Sequence, residues 1–60
     1  MTEDEIAALP DGAVLRAPNG DTLTMDRFMP TPRLRVSDGS YLFVNNVRTE
    51  YDLDELQREA

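Results

Sequence analysis

Residues 33–44 read Arg33-Leu34-Arg35-Val36-Ser37-Asp38-Gly39-Ser40-Tyr41-Leu42-Phe43-Val44. Two runs of alternating β-formers flank Asp38-Gly39, a strong hairpin signal. A two-residue loop at Asp38-Gly39 pairs Val36 with Tyr41 and Leu34 with Phe43 on one face. It pairs Arg35 with Leu42 and Arg33 with Val44 on the other. Strand side chains alternate, so one face becomes core and the other meets solvent or a partner. With Tyr41 and Phe43 in the core, the outer face carries Arg33, Arg35, Leu42 and Val44. That is a mixed Arg-aliphatic patch of the kind that contacts proteins.

Working outward, residues 26–32 read as irregular, because Pro30 and Pro32 forbid helix and central strand. Phe28 and Met29 lie here and join Met25 in an apolar cluster. They either close one end of the sheet or reach a partner, since Met-rich loops adapt their shape. Further upstream, Ala13–Ala17 and Thr22–Met25 flank Pro18-Asn19-Gly20. Pro first and Gly in the left-handed position predict a three-residue loop with a bulge. Leu15 then faces Leu23, and Ala13 faces Met25. Thr2-Glu3-Asp4-Glu5 is a capping box, and its acids suit the positive end of a helix dipole. A short helix over residues 3–9 follows, ended by Pro10-Asp11-Gly12. It is too short to stand alone and must dock through Ile6 and Leu9.

Downstream, Asn45-Asn46 reads as a second turn or bulge, with a fifth short strand over Val47–Tyr51. Asp52 and Glu55 form a second capping box. Leu53 and Leu56, three apart, then fall on one face of a final helix over residues 53–59. The expected architecture is one α+β domain over residues 1–60. It is a small, strongly bent antiparallel β-meander or SH3-like barrel with a short helix at each end.

Composition narrows the function. The chain has 60 residues, is 40% hydrophobic and has no Cys, so its core is small and has no disulfide to staple it. It has no His, which removes the usual general base and metal imidazole. Ser37, Ser40 and the threonines have neither His nor Lys beside them to activate a nucleophile. Gly12, Gly20 and Gly39 are scattered among turns and form no phosphate cradle. The acidic runs Glu3-Asp4-Glu5 and Asp52-Asp54-Glu55 lack the alternate spacing of a calcium loop and read as helix caps. We therefore expect no enzyme, no metal and no cofactor.

The net charge is −6, and every basic residue is Arg. Residues 1–15 and 49–60 are acidic, while residues 16–48 hold Arg16, Arg27, Arg33, Arg35 and Arg48 against three Asp. Such a chain repels nucleic acid and anionic membranes at long range, although the basic middle can act locally. The acidic opening is the opposite of a signal peptide's basic start, and no apolar run approaches a membrane span. The expected location is the cytoplasm.

Leu9-Pro10-Asp11-Gly12-Ala13-Val14, followed by Asn19-Gly20-Asp21, resembles the opening of small uncharacterised β-meander proteins of actinobacteria and their phages. The resemblance spans about residues 9–25. Arg without Lys fits a GC-rich coding sequence of that kind. The resemblance implies no catalytic residues and an accessory, phage-encoded role in the host cytoplasm.

The function expected is thus a non-enzymatic module that binds a protein, as a phage or mobile-element factor acting on a host component. Its contact residues are Arg33, Arg35, Leu42 and Val44, or the Phe28–Met29 loop. Three other readings compete with it. The first is an acidic inhibitor that mimics nucleic acid, with both acidic runs on one surface. The second is a small nucleic-acid-binding barrel, which Tyr41 and Phe43 on the core face disfavour. The third is a self-associating structural subunit.

Overall fold

The computed structural model describes residues 1–28 and 30–59. The capping box forms as expected. The Glu5 N–H donates to Thr2 Oγ1 at 3.1 Å, and the Thr2 N–H donates to Glu5 Oε1 at 2.9 Å. Helix α1 runs Glu3–Ala7, two residues shorter than expected, and has no basic residue of its own in its last turn. Arg27, distant in sequence, supplies the missing cation. Its guanidinium donates to the Leu9 carbonyl at 2.6 Å and to the Ala7 carbonyl, where the helix dipole is negative. Ile6 and Leu9 are buried and dock the helix.

The strands are β1 (Val14–Arg16), β2 (Thr22–Asp26), β3 (Arg33–Val36), β4 (Tyr41–Phe43) and β5 (Gln57–Arg58). They form one open antiparallel sheet in the order β4-β3-β2-β1-β5. The first hairpin has the expected register, with Leu15 opposite Leu23. Its loop is Pro18-Asn19-Gly20, closed by the Ala17 N–H donating to the Asp21 carbonyl at 2.9 Å. Gly20 takes the left-handed position, at φ +93°.

The second hairpin corrects the expectation by one residue. The Val36 N–H donates to the Ser40 carbonyl at 2.8 Å, so the loop is Ser37-Asp38-Gly39. Leu34 therefore faces Leu42, Arg33 faces Phe43 and Arg35 faces Tyr41. A two-residue Asp-Gly loop of the favoured type needs positive φ at both residues. Here only Gly39 has it, at φ +95°. Asp38 instead accepts from the Ser40 N–H at 2.8 Å and the Ser40 hydroxyl at 2.6 Å. Ser37 is held to β2, its N–H donating to the Thr22 carbonyl at 2.9 Å and its Oγ accepting from the Thr22 N–H at 3.2 Å. The slip turns Leu42 inward. Leu42 and Val44, expected beside the arginines, are partly buried against the core.

The chain after β4 differs as well. Val44–Asn46 is a 3₁₀ turn that leads into helix α2 (Val47–Glu50), where a fifth strand was expected. Val44, Val47 and Tyr51 are spaced by three and four, a helical period, and Val47 is fully buried. Asp52 is an N-cap as expected, but its side chain accepts from the Asp54 N–H at 3.0 Å, and the Glu55 N–H donates to the Asp52 backbone carbonyl at 3.0 Å in place of the expected capping-box bond. Only a 3₁₀ turn, Leu53–Glu55, grows from it, so the final helix is absent among the described residues. Leu56 is already extended, and the next residues pair with β1, Leu15 opposite Arg58 and Arg16 opposite Gln57. The free edge of β1 thus takes the end of the chain, and Leu53 and Leu56 need only the three-residue spacing of a 3₁₀ turn. The structure is α+β, with one short helix near the start and another between β4 and β5.

One core cluster joins Ile6 and Leu9 to the inner sheet residues, with Val47 and Leu56 closing it. Tyr51 lies against this cluster, and its hydroxyl donates to Asp21 Oδ2 at 2.8 Å. Burial first, then this hydrogen bond and the nearby negative charge, push the Tyr51 phenol up to about 12.

Two outcomes follow from this packing. In urea unfolding, Leu42→Ser is expected to cost about 2 kcal/mol, and Phe43→Ser less than about 1 kcal/mol. The two-residue register would reverse that order. The raised Tyr51 value means the folded state resists forming the phenolate. That contribution is complete below the ordinary tyrosine value near pH 10 and is lost as pH rises through about 12. Tyr51→Phe should lower stability by ~1 kcal/mol at neutral pH and flatten the alkaline limb of the melting-temperature profile.

Candidate functional site

The one-residue slip assembles the outer face of β2, β3 and β4. Arg33 and Arg35 come from alternate positions of β3, and Phe43 and Tyr41 lie opposite them on β4. Tyr41 is 47% exposed and Phe43 50%, values that mark them as surface side chains. Sequence reading placed both in the core and so missed them as site residues. The signal was present in the first loop. Pro18-Asn19-Gly20 and Ser37-Asp38-Gly39 share an amide or acid followed by Gly in the third position. The three-residue reading of the first applies to the second.

Arg33 is held on two sides. Its Nε lies 3.3 Å from Asp26 Oδ2, and its guanidinium carbon sits 4.0 Å from the centre of the Tyr41 ring. A cation over an aromatic face is attracted by the ring quadrupole. Asp26 is fixed in turn by the Phe28 N–H, which donates to its other oxygen at 2.9 Å. That hydrogen bond first, and then the hydrogen bond and charge of Arg33, hold the Asp26 carboxyl below its ordinary value. Arg35 is exposed and makes no ion pair among the described residues. It borders a shallow cleft of about 280 Å³ with Gly12, Thr24 and Asp26.

The other expected contact residues divide. Arg33 and Arg35 share this face, whereas Leu42 and Val44 leave it for the core side. Phe28 is 85% exposed just after β2, which makes it a surface residue and no plug of the sheet. Met29 lies outside the described residues.

A second concavity opens between α1 and the end of the β3–β4 ribbon. It is a groove of about 520 Å³ lined by Ala7, Pro32, Phe43 and Val44 together with Thr31 and Asn45, and by Glu3 and Asp4 of α1. Phe43 therefore borders both the groove and the outer face.

The acidic runs serve local structure. Glu3 pairs with Arg48 at 3.4 Å, and Glu5 and Asp52 act as caps. The Met1 amino group donates to the Leu53 carbonyl at 3.2 Å and lies 3.9 Å from Asp54. The two runs are thus neighbours, with Arg48 and the amino group lying against them. Among the described residues, no group of three acids gathers to hold a metal. Among the described residues, no helix is long and apolar enough to cross a membrane. Comparison with known protein families, curated proteins and solved structures found no match.

The lowered Asp26 value has a sign that can be checked. Its contribution to stability is complete above the ordinary aspartate value near pH 4 and is lost as pH falls through the lower folded value. Asp26→Asn is expected to flatten the acid limb of the melting-temperature profile. An unchanged acid limb would mean that the Asp26 interactions contribute nothing.

Proposed function

We propose that the chain is a non-enzymatic protein-binding module whose contact face is the outer face of β2, β3 and β4. The observation that carries this reading is the grouping of Arg33, Arg35, Tyr41 and Phe43 on one solvent-facing side. Tyr and Arg are the residue types that dominate binding hot spots. Arg33 is already ordered by Asp26 and Tyr41, so less side-chain freedom is lost on binding. Arg35 supplies the exposed charge. The strand order, with β5 returning to β1, supports the finer reading of the sheet as a bent, SH3-like arrangement. The resemblance of residues 9–25 supports an accessory role in a host cytoplasm, with a host protein as partner.

One observation favours a second reading. Aromatic platforms beside arginines suit single-stranded nucleic acid, whose bases stack on exposed rings. Charge weighs against it. The chain carries −6, and Arg33 is balanced by Asp26 and Arg16 by Glu59 at 2.8 Å. A backbone-tracking groove needs several uncompensated cations.

Affinity capture from the lysate of a GC-rich bacterium tests the first reading, with Arg35→Glu/Tyr41→Ser as control. Both substitutions are at exposed positions and leave the core intact. The wild type should recover at least one protein that the control loses. Identical recovery would remove the outer face from consideration. Titration with single-stranded oligonucleotides at low salt separates the second reading, which requires binding that weakens steeply as salt rises.

A further inference from the structure

The groove beside α1 combines two features that together specify an occupant. Its lining exposes more apolar than polar surface, with Ala7, Pro32, Phe43 and Val44 beside Thr31 and Asn45, and its volume of about 520 Å³ lies in the range of small-ligand and side-chain pockets. Glu3 and Asp4 line it as well. Glu3 is already engaged by Arg48 at 3.4 Å, whereas Asp4 is exposed and has no cation within ion-pair distance among the described residues. An acidic partner meets like charge here. An apolar side chain entering the groove buries surface against these apolar residues, and a neighbouring cation meets Asp4. A second copy of this chain is a poor occupant, because two surfaces of a −6 molecule would be brought together.

We propose that this groove seats a large aliphatic or aromatic side chain of a partner peptide, and that a Lys or Arg next to it in that peptide pairs with Asp4. The proposal rests on the protein-binding reading and names the partner's chemistry: an apolar-basic segment. Phe43 lines the groove and also belongs to the outer face, so a partner seated in the groove lies beside that face.

The test pans the intact chain against a displayed library of random heptapeptides, then measures the enriched peptides by fluorescence anisotropy. Enrichment should yield Leu, Ile, Met or Phe beside Lys or Arg. Ala7→Arg, which fills the groove, should weaken the best peptide at least ~tenfold, and Asp4→Lys should weaken it about fivefold. Asp4 is an exposed helix position, so that variant tests the charge pairing even if Ala7→Arg does not fold. Circular dichroism establishes the folding of each. Amide shifts of Ala7 and Val44 on adding the peptide should locate it in the groove.

Three results overturn the proposal: no enrichment, enrichment of acidic peptides, or an affinity that both groove variants leave unchanged. If Arg35→Glu alone abolishes binding, the groove is wrong and the outer-face reading stands. If neither groove variant nor Arg35→Glu matters, both fall. Self-association by sedimentation that Ala7→Arg abolishes would assign the groove to a second copy, and would also overturn it.

Discussion

The hydrogen bond from the Val36 N–H to the Ser40 carbonyl, 2.8 Å long, decides which way the side chains of β4 point. A strand alternates its faces, so moving this bond by one residue would exchange the two faces of β4. Three facts hold it. Gly39 is the loop residue at positive φ, Asp38 is tied to Ser40, and Ser37 is tied to Thr22. The core depends on the result. Its largest fully buried side chains are Ile6, Leu15, Leu23, Met25, Leu34 and Val47, each contributing roughly 2 kcal/mol. With so few, Leu42 packed over Leu34 is a substantial fraction of the whole.

The same bond creates the candidate surface. Leu42 turns inward, and Tyr41 and Phe43 turn outward beside Arg33 and Arg35. The arginines then separate by task in a way that composition cannot show. Arg27 closes the carbonyl end of α1, Arg48 pairs with Glu3, Arg16 with Glu59, and Arg33 with Asp26. Arg35 stands exposed on the outer face. The net charge of the middle segment is therefore a poor guide to its binding chemistry, because most of its cations are used in structure.

Legibility followed the range of the forces involved. The capping box at Thr2 and Glu5, the Asn19-Gly20 loop and the pairing of Leu15 with Leu23 are local, and all three were readable. The second loop was misread because Asp-Gly serves both two-residue and three-residue hairpins. The choice turned on Ser37, whose partner Thr22 is fifteen residues away. Arg33 and Arg35 were recognised as a pair. Their aromatic neighbours were not, since a single slip moved Tyr41 and Phe43 together. Val47 reads as a strand residue by its β-branched side chain, although its spacing from Val44 and Tyr51 is helical. Four residues of helix leave too short a pattern to outweigh β-branched propensity.

The sequence by itself determined the α+β class, the start of α1, the first hairpin and the absence of any Cys or His chemistry. Those depend on residue type and on contacts a few positions apart. Tertiary structure alone decided the fate of residues 51–59. Leu53 and Leu56 would suit a helix or a 3₁₀ turn equally well. The unpaired edge of β1 settled the matter, since an exposed row of N–H and C=O groups gains more from a strand than solvent offers. The Glu59 N–H completes that pairing at 2.7 Å from the Val14 carbonyl, a partner 45 positions earlier in the chain that no local pattern could name.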